Sequence, residues 1–142
     1  MNTEKYFLKL AESIASASKD PSTKVGAVII RPDRSIVSTG YNGFPRQMKD
    51  LPDRYNDKED KLSRIIHAEM NALLFAKEEL KECTLYSWPF LTCDRCAVHV
   101  IQSGIIRVVA PVCPPELTDR WGKYHQKAKD YYLECGVIVT EL

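Results

Sequence analysis

Apolar side chains at Tyr6, Phe7, Leu10, Ile14 and Ala17 recur at helical spacing and predict a helix over residues 3–18, stopped by Asp20-Pro21-Ser22. Two β-rich runs follow, at 25–31 and 35–41, with Pro32-Asp33-Arg34 between them as a hairpin turn. Gly40-Tyr41-Asn42-Gly43 ends the second strand in a permissive turn. Residues 44–64 show no period, with two prolines, six basic and five acidic side chains. They read as a surface loop with room for a helical turn, and a loop this long in a compact domain is more often functional than idle. Residues 65–80 are apolar almost all round, which predicts a central, buried helix. Short strands at 83–88 and 105–110 bracket a helix at about 94–103. A last helix at 116–134 and a last strand at 137–140 complete the order α-β-β-α-β-α-β-α-β. That order implies a mixed sheet covered by helices, with the C-terminal β-α-β-α-β part parallel.

Composition adds bounds to this picture. At 142 residues the chain is long enough for one domain, spanning 1–142, with its own core. The balance of 20 Lys+Arg against 19 Asp+Glu, a net charge of +1, argues against a protein that coats nucleic acid. It leaves room for one local basic pocket. The apolar runs are short, as at Val25–Ile30, well below the roughly 18 residues of a membrane span. No signal-peptide core follows Met1-Asn2-Thr3-Glu4-Lys5-Tyr6, so a cytoplasmic protein with no membrane partner is expected. Five cysteines, 83, 93, 96, 113 and 135, are then thiols or metal ligands rather than disulfides.

The chemistry concentrates in two short stretches, His67-Ala68-Glu69 and Cys93-Asp94-Arg95-Cys96, each opening a predicted helix. Cys93 and Cys96, three apart, meet on one helix face, and a helix N-terminus favours the thiolate that binds metal. One histidine and two cysteines suit Zn²⁺, and three protein ligands leave a fourth position open, as catalytic zinc requires. Glu69 is then the natural acid/base. Residues i and i+2 do not face each other along a helix, so His67 and Glu69 share a site only if the helix begins at about His67. A closed structural zinc site would need a fourth ligand, for which His99 is the candidate. A redox CxxC is a further reading that leaves His67 and Glu69 unexplained. Cys83, Cys113 and Cys135 read as buried small hydrophobes. His125 reads as solvated on a charged helix face.

The spacing H-x-E, then about two dozen residues, then C-x-x-C resembles the zinc-dependent cytidine/deoxycytidylate deaminase superfamily. Residues 18–27 (SKDPSTKVGA), 40–46 (GYNGFPR) and 67–72 (HAEMNA) extend the resemblance to its deoxycytidylate deaminase branch over nearly the whole chain. The resemblance implies a three-layer α/β/α cytidine-deaminase-like fold with a five-stranded mixed sheet. It implies one Zn²⁺ per subunit on His67, Cys93 and Cys96, and hydrolysis of dCMP to dUMP and ammonia with Glu69 moving the protons. It places Asn42 near the sugar 3′-hydroxyl, the Ala68 N–H on the base O2, and the Ser87-Trp88 backbone on the leaving amine. Lys24 and Arg120, then Lys19, are the expected phosphate ligands. The competing reading of Asn42-Gly43 is a plain turn.

By the same resemblance, Gly43, Phe44 and Arg46 are expected at a site for dCTP and dTTP effectors, with Mg²⁺ accompanying the nucleotide, in a homo-oligomer, a hexamer in the regulated relatives. The sequence departs from the family in having Thr92 where proline usually precedes the first cysteine, with Pro89 three residues earlier, and Gln47 where a second glycine is common. The late tyrosine that holds phosphate in relatives has no clear match, and Arg120-Trp121 falls near its place. Residues 44–66 hold neither Cys nor His, so the second, structural zinc of some relatives is not expected. Neighbouring readings are a dCTP or dual dCMP/dCTP deaminase, a tRNA-type base deaminase, which the near-neutral charge disfavours, and a non-catalytic zinc module.

Overall fold

A computed structural model of the protein describes residues 2–142. Helix α1 (Thr3–Ala15) leads into strands β1 (Gly26–Ile30) and β2 (Ile36–Tyr41). Two short helices follow, α2 (Pro52–Asn56) and α3 (Lys58–Arg64), then α4 (Ala68–Phe75). The remainder alternates as β3 (Thr84–Trp88), α5 (Asp94–Gln102), β4 (Arg107–Ala110), α6 (Pro115–Glu134) and β5 (Ile138–Glu141). The five strands form one sheet ordered β2-β1-β3-β4-β5. Strand β1 is antiparallel to both neighbours, whereas β3, β4 and β5 run parallel, as the element order predicts. Among the described residues no helix is long and apolar enough to cross a membrane.

Strand alternation sorts the core into two layers. Val28, Ile30, Tyr86 and Val109 face α1 through Phe7, Leu8 and Ala11. Ala27, Ile29, Leu85 and Val108 face the opposite way, toward Ala68 and Ala72 of α4, Ala97 and Val100 of α5, and Ala128 and Tyr132 of α6. Glycines set how closely two helices approach the hairpin. A Cβ on Gly26 would lie 2.0 Å from the Ala11 carbonyl oxygen of α1. One on Gly40 would lie 2.4 Å from the Ala68 carbonyl oxygen and 2.5 Å from the Ala72 nitrogen of α4. Those are backbone atoms, so relief requires moving α4 itself. Gly40→Ala is therefore expected to cost about 3 kcal/mol, lowering the thermal midpoint by roughly 10 °C. A calorimetric shift below about 2 °C would show that α4 can ride off the sheet without penalty.

Two sequence expectations change here. Residues 44–64 are not a loop with a single helical turn, because they build both α2 and α3. Each has a local cause: Pro52 at the first turn of α2, and Asp57, whose carboxylate accepts from the Asp60 N–H, at the cap of α3. The segment buries one side chain within these helices, Tyr55, whose ring stacks on Phe44 at 4.2 Å. The apolar run at 65–80 is also not one buried helix. It begins as expected, with His67 extended just ahead of Ala68, but α4 ends at Phe75, and Lys77 turns left-handed at φ 55°. Only Ala68, Glu69 and Ala72 of α4 are buried, while Leu74 and Phe75 are exposed. A helix seated this close on a glycine strand covers only a narrow stripe of itself.

Candidate active site

Two helix N-termini meet at one place. Gly43 and Ile66 form an isolated antiparallel bridge, Gly43 N–H to Ile66 O at 3.1 Å and Ile66 N–H to Gly43 O at 2.8 Å. That pairing keeps the chain extended up to His67 (φ −67°, ψ 152°), so His67 and Glu69 are not two positions of one helix and can share a site. On the other side Cys93 is extended (ψ 171°) and caps α5, its sulfur accepting from the Cys96 N–H at 3.4 Å.

The ligand atoms of His67, Cys93 and Cys96 all lie within 4.8 Å of one another. His67 Nδ1 is 3.6 Å from Cys93 Sγ and 3.2 Å from Cys96 Sγ. Tetrahedral zinc with ordinary Zn–N and Zn–S bonds would hold such atoms roughly 3.6 Å apart. The donor set and its spacing fit zinc. The neighbouring Cys96, with His67, holds the Cys93 thiol down to about 4 against its burial. Cys93 in turn, together with burial, pushes the Cys96 thiol up. His67 is raised, first by its hydrogen bond with Cys93. The pocket thus already stabilises one thiolate beside an imidazole.

His99 does not join this cluster. It is exposed, with its Nδ1 2.9 Å from the Arg95 carbonyl oxygen, so it supplies no fourth ligand and the closed structural site loses its candidate. Cys83 is buried as expected, whereas Cys113 is half-buried and Cys135 is exposed just past α6.

Glu69 is buried, and burial raises its carboxyl, opposed by the charge of His67. Ser87, fully buried on the α4-facing side of β3, lies 3.2 Å from Glu69 Oε1 and 2.9 Å from the Phe90 carbonyl oxygen. A hydroxyl has one proton for those two acceptors. It can donate to an ionised Glu69, or donate to Phe90 and accept from a protonated Glu69. Either way Oε1 is held, and Glu69 lines the cavity.

That cavity has a volume of about 420 Å³, enough for one small ligand. Its floor is His67, Ala68, Glu69 and Cys93, and its walls include Asn42, Leu62, Phe90 and Trp121. Ala68 is the first residue of α4, where the amide has no intrahelical partner. Asn42 is more than a turn residue. Its Oδ1 accepts from the Val25 N–H at 2.9 Å, and its Nδ2 donates to Thr23 O at 2.9 Å and Asp20 Oδ2 at 3.2 Å. With both amide protons engaged, the remaining Oδ1 lone pair can only accept, as from a sugar hydroxyl. Asp20, buried, also accepts from the Ser22 N–H and from Lys61 Nζ at 2.9 Å. In the sequence Asp20 shows only as a helix stop, and this node comes from Asn42 and Lys61, 22 and 41 residues away. The Asp-Pro-Ser spelling, favourable to an Asx turn, was the available signal.

The expected phosphate ligands divide. Arg120 lines the cavity, with its guanidinium 4.9 Å over the Trp121 ring. Lys24 is exposed and not on the cavity wall, and Lys19 is paired with Asp50 at 3.2 Å outside it. Lys58 and Lys61, which sequence reasoning did not single out, do line it. Gly43, Phe44 and Arg46 lie outside the cavity, Arg46 sitting 5.1 Å over the exposed Phe75 ring. Trp88 packs toward α1, which leaves its backbone as its sole route to the site. His125 is buried rather than solvated, 4.9 Å from the Phe90 ring and on the cavity wall, and burial lowers its pKa. Its helical spacing from Ala128 and Tyr132 puts it on the inner stripe of α6.

A family model described as the cytidine and deoxycytidylate deaminase zinc-binding region matches residues 1–112. An uncharacterized deaminase encoded in the luxG 3′ region of Aliivibrio fischeri is 43% identical over 138 residues, covering 97% of this chain and 92% of that one. Human deoxycytidylate deaminase is 38% identical over 110 residues, 73% of this chain; the match spans 61% of the human protein. In fold, the chain is similar to the dCMP deaminase of cyanophage S-TIM5, solved with dCMP and dUMP, at a TM-score of 0.76 and 24% identity, covering 98% of this chain and 96% of that one. Fold, motif spacing and sequence likeness converge: this chain belongs to the zinc-binding cytidine and deoxycytidylate deaminase family.

Proposed function

We propose that this protein, as a single cytoplasmic deaminase domain over residues 1–142, hydrolyses dCMP to dUMP and ammonia with one zinc ion per chain. The observation that carries the reading is the His67–Cys93–Cys96 triangle beside a buried carboxyl, at the floor of a cavity with Arg120 on its wall. Zinc held by those three side chains supplies a lowered pKa for water near neutral pH. Glu69 then takes a proton from the attacking water and gives it to the ring nitrogen N3. The water oxygen bonds to C4, Glu69 takes the second proton from the new C4 hydroxyl and passes it to the exocyclic amine, and the C4–N bond breaks to leave C4=O and ammonia. Phe90 and Leu91 line the base end with apolar surface. The Ala68 N–H, at the first position of α4, would meet the base O2.

The likeness to human deoxycytidylate deaminase supports the monophosphate substrate, and so does the charge at the wall. Lys61 is engaged by Asp20, so Arg120 and Lys58 are the cations left for a phosphate. Ammonia release from dCMP, dCTP and deoxycytidine tests the reading, with Arg120→Ala alongside. Wild-type protein is expected to favour dCMP over deoxycytidine. Arg120→Ala is expected to raise KM for dCMP roughly 10- to 100-fold while leaving kcat/KM for deoxycytidine unchanged. Equal losses on both substrates would take Arg120 away from the phosphate. Turnover of dCTP as fast as dCMP would make this a dual enzyme.

The proposal extends to assembly. Leu74 and Phe75 form an exposed apolar surface on α4, and Phe44 and Arg46 adjoin it through Arg46 over the Phe75 ring. A homo-oligomer, hexameric as in regulated relatives, would cover that surface. Binding of dCTP or dTTP with Mg²⁺ near Gly43, Phe44 and Arg46 would then act at a subunit face rather than inside the cavity. Curvature in the same dCMP assay, relieved by dCTP and deepened by dTTP, is the expected sign.

A further inference from the structure

We propose that the buried hydroxyl pair Thr92–Tyr132 positions the metal ligand Cys93 by tying its loop to α6. Thr92 Oγ1 and Tyr132 Oη lie 2.6 Å apart across 40 residues of sequence, and their side chains are 1% and 0% exposed. Tyr132 belongs to the apolar core, and Thr92 immediately precedes Cys93. Residues 89–93 join β3 to α5 without belonging to either, so no strand ladder fixes them. Ahead of Cys93 itself, two side-chain bonds hold this stretch, Ser87 to the Phe90 carbonyl and Thr92 to Tyr132. A proline before Cys93 would set φ by its own ring. Threonine does not, and a tie from outside sets the position in its place.

Stability alone is a poor reason for such a pair. Two buried hydroxyls bonded to each other gain little over two apolar groups of the same shape, although losing one of them orphans the other. What the bond adds is a fixed distance and direction, which apolar contact does not give. The direction matters because Cys93 Sγ must stay 3.6 Å from His67 Nδ1, which lies on a separate segment just ahead of α4. Trp121, His125, Ala128 and Tyr132 follow one another at helical spacing along α6, and the first two line the cavity. The same bond therefore holds the metal loop in register with a wall of the substrate cavity. Tyr132 and Thr92 are positioning residues that act through Cys93.

The inference rests on zinc binding at His67, Cys93 and Cys96, and its test reads the metal directly. Zinc-loaded full-length chains carrying Thr92→Val, Tyr132→Phe, both together, or Thr92→Ser are compared for zinc transfer to a chromogenic chelator and for thermal midpoint. Thr92→Val and Tyr132→Phe are expected to release zinc roughly 10- to 100-fold faster than wild type. The double variant regains most of the thermal midpoint, because no hydroxyl is orphaned, yet keeps the fast release. Thr92→Ser, which retains the hydroxyl, releases zinc within about threefold of wild type.

A double variant with wild-type release would overturn the proposal and leave the pair as core filling. If the double variant does not fold, Thr92→Val matching Thr92→Ser in release rate would overturn it equally. A wild-type chain that takes up no zinc would remove the zinc reading itself, and this proposal with it. Zinc uptake with no difference among the variants removes only the proposal.

Discussion

Glu69→Gln should abolish turnover while leaving zinc in place. The substitution keeps shape, burial and an oxygen for Ser87, and it removes only the ability to take and return a proton. General acid–base catalysis by a positioned side chain contributes roughly 10²- to 10⁴-fold, and one carboxyl serving several transfers should sit at the upper end. The site is arranged for a group that changes protonation state. Burial raises the Glu69 carboxyl, His67 opposes that shift, and the Ser87 hydroxyl can bond either form. Ammonia release measured with the metal content of the same sample decides the matter. A variant with one zinc per chain and activity within about threefold of wild type would leave the proton carrier elsewhere.

Removing a thiol has the second large effect. Cys96 is buried, and Cys96→Ala would leave a two-ligand site with a cavity in place of the sulfur. Zinc affinity is expected to fall on the order of 10³-fold, since each ligand carries several kcal/mol of the binding energy. Activity is lost with the metal. Cys135→Ser is the matched control, exposed just past α6 and expected to change neither quantity. Competition with a chelator of known affinity measures both. Retention of tight zinc by Cys96→Ala would require a different ligand set, and His99 would have to leave the Arg95 carbonyl to supply one.

The parts of this molecule that sequence discloses are those fixed by neighbours along the chain. His67-x-Glu69 and Cys93-x-x-Cys96 lie at helix starts, so their geometry follows from local rules, and the expected start of α4 agrees with the structure. The parallel β3-β4-β5 order follows from alternation of elements. What stayed hidden depends on partners distant in sequence. Lys24 and Lys61 look alike on paper, yet one is in solvent and the other is drawn to Asp20 41 residues away. His125 reads as solvated because Lys123, Lys127 and Lys129 lie close by in sequence, while in the fold it packs against Phe90, a residue of another segment. The α4 run looked buried all round because composition does not reveal how little of a short helix fits against Gly40.

The stretch that builds α2 and α3 hangs outside the sheet, burying one side chain in those helices, yet it furnishes Tyr55, Asn56, Lys58, Lys61 and Leu62 to the cavity. The chemical machinery is encoded elsewhere, at the starts of α4 and α5. One wall of the cavity and the His67–Cys93–Cys96 cluster are thus written in separable stretches of the gene. A graft confined to residues 44–64 would exchange one wall of the binding chamber as a cassette, with Asp20 as the socket that any incoming segment must fill with a cation.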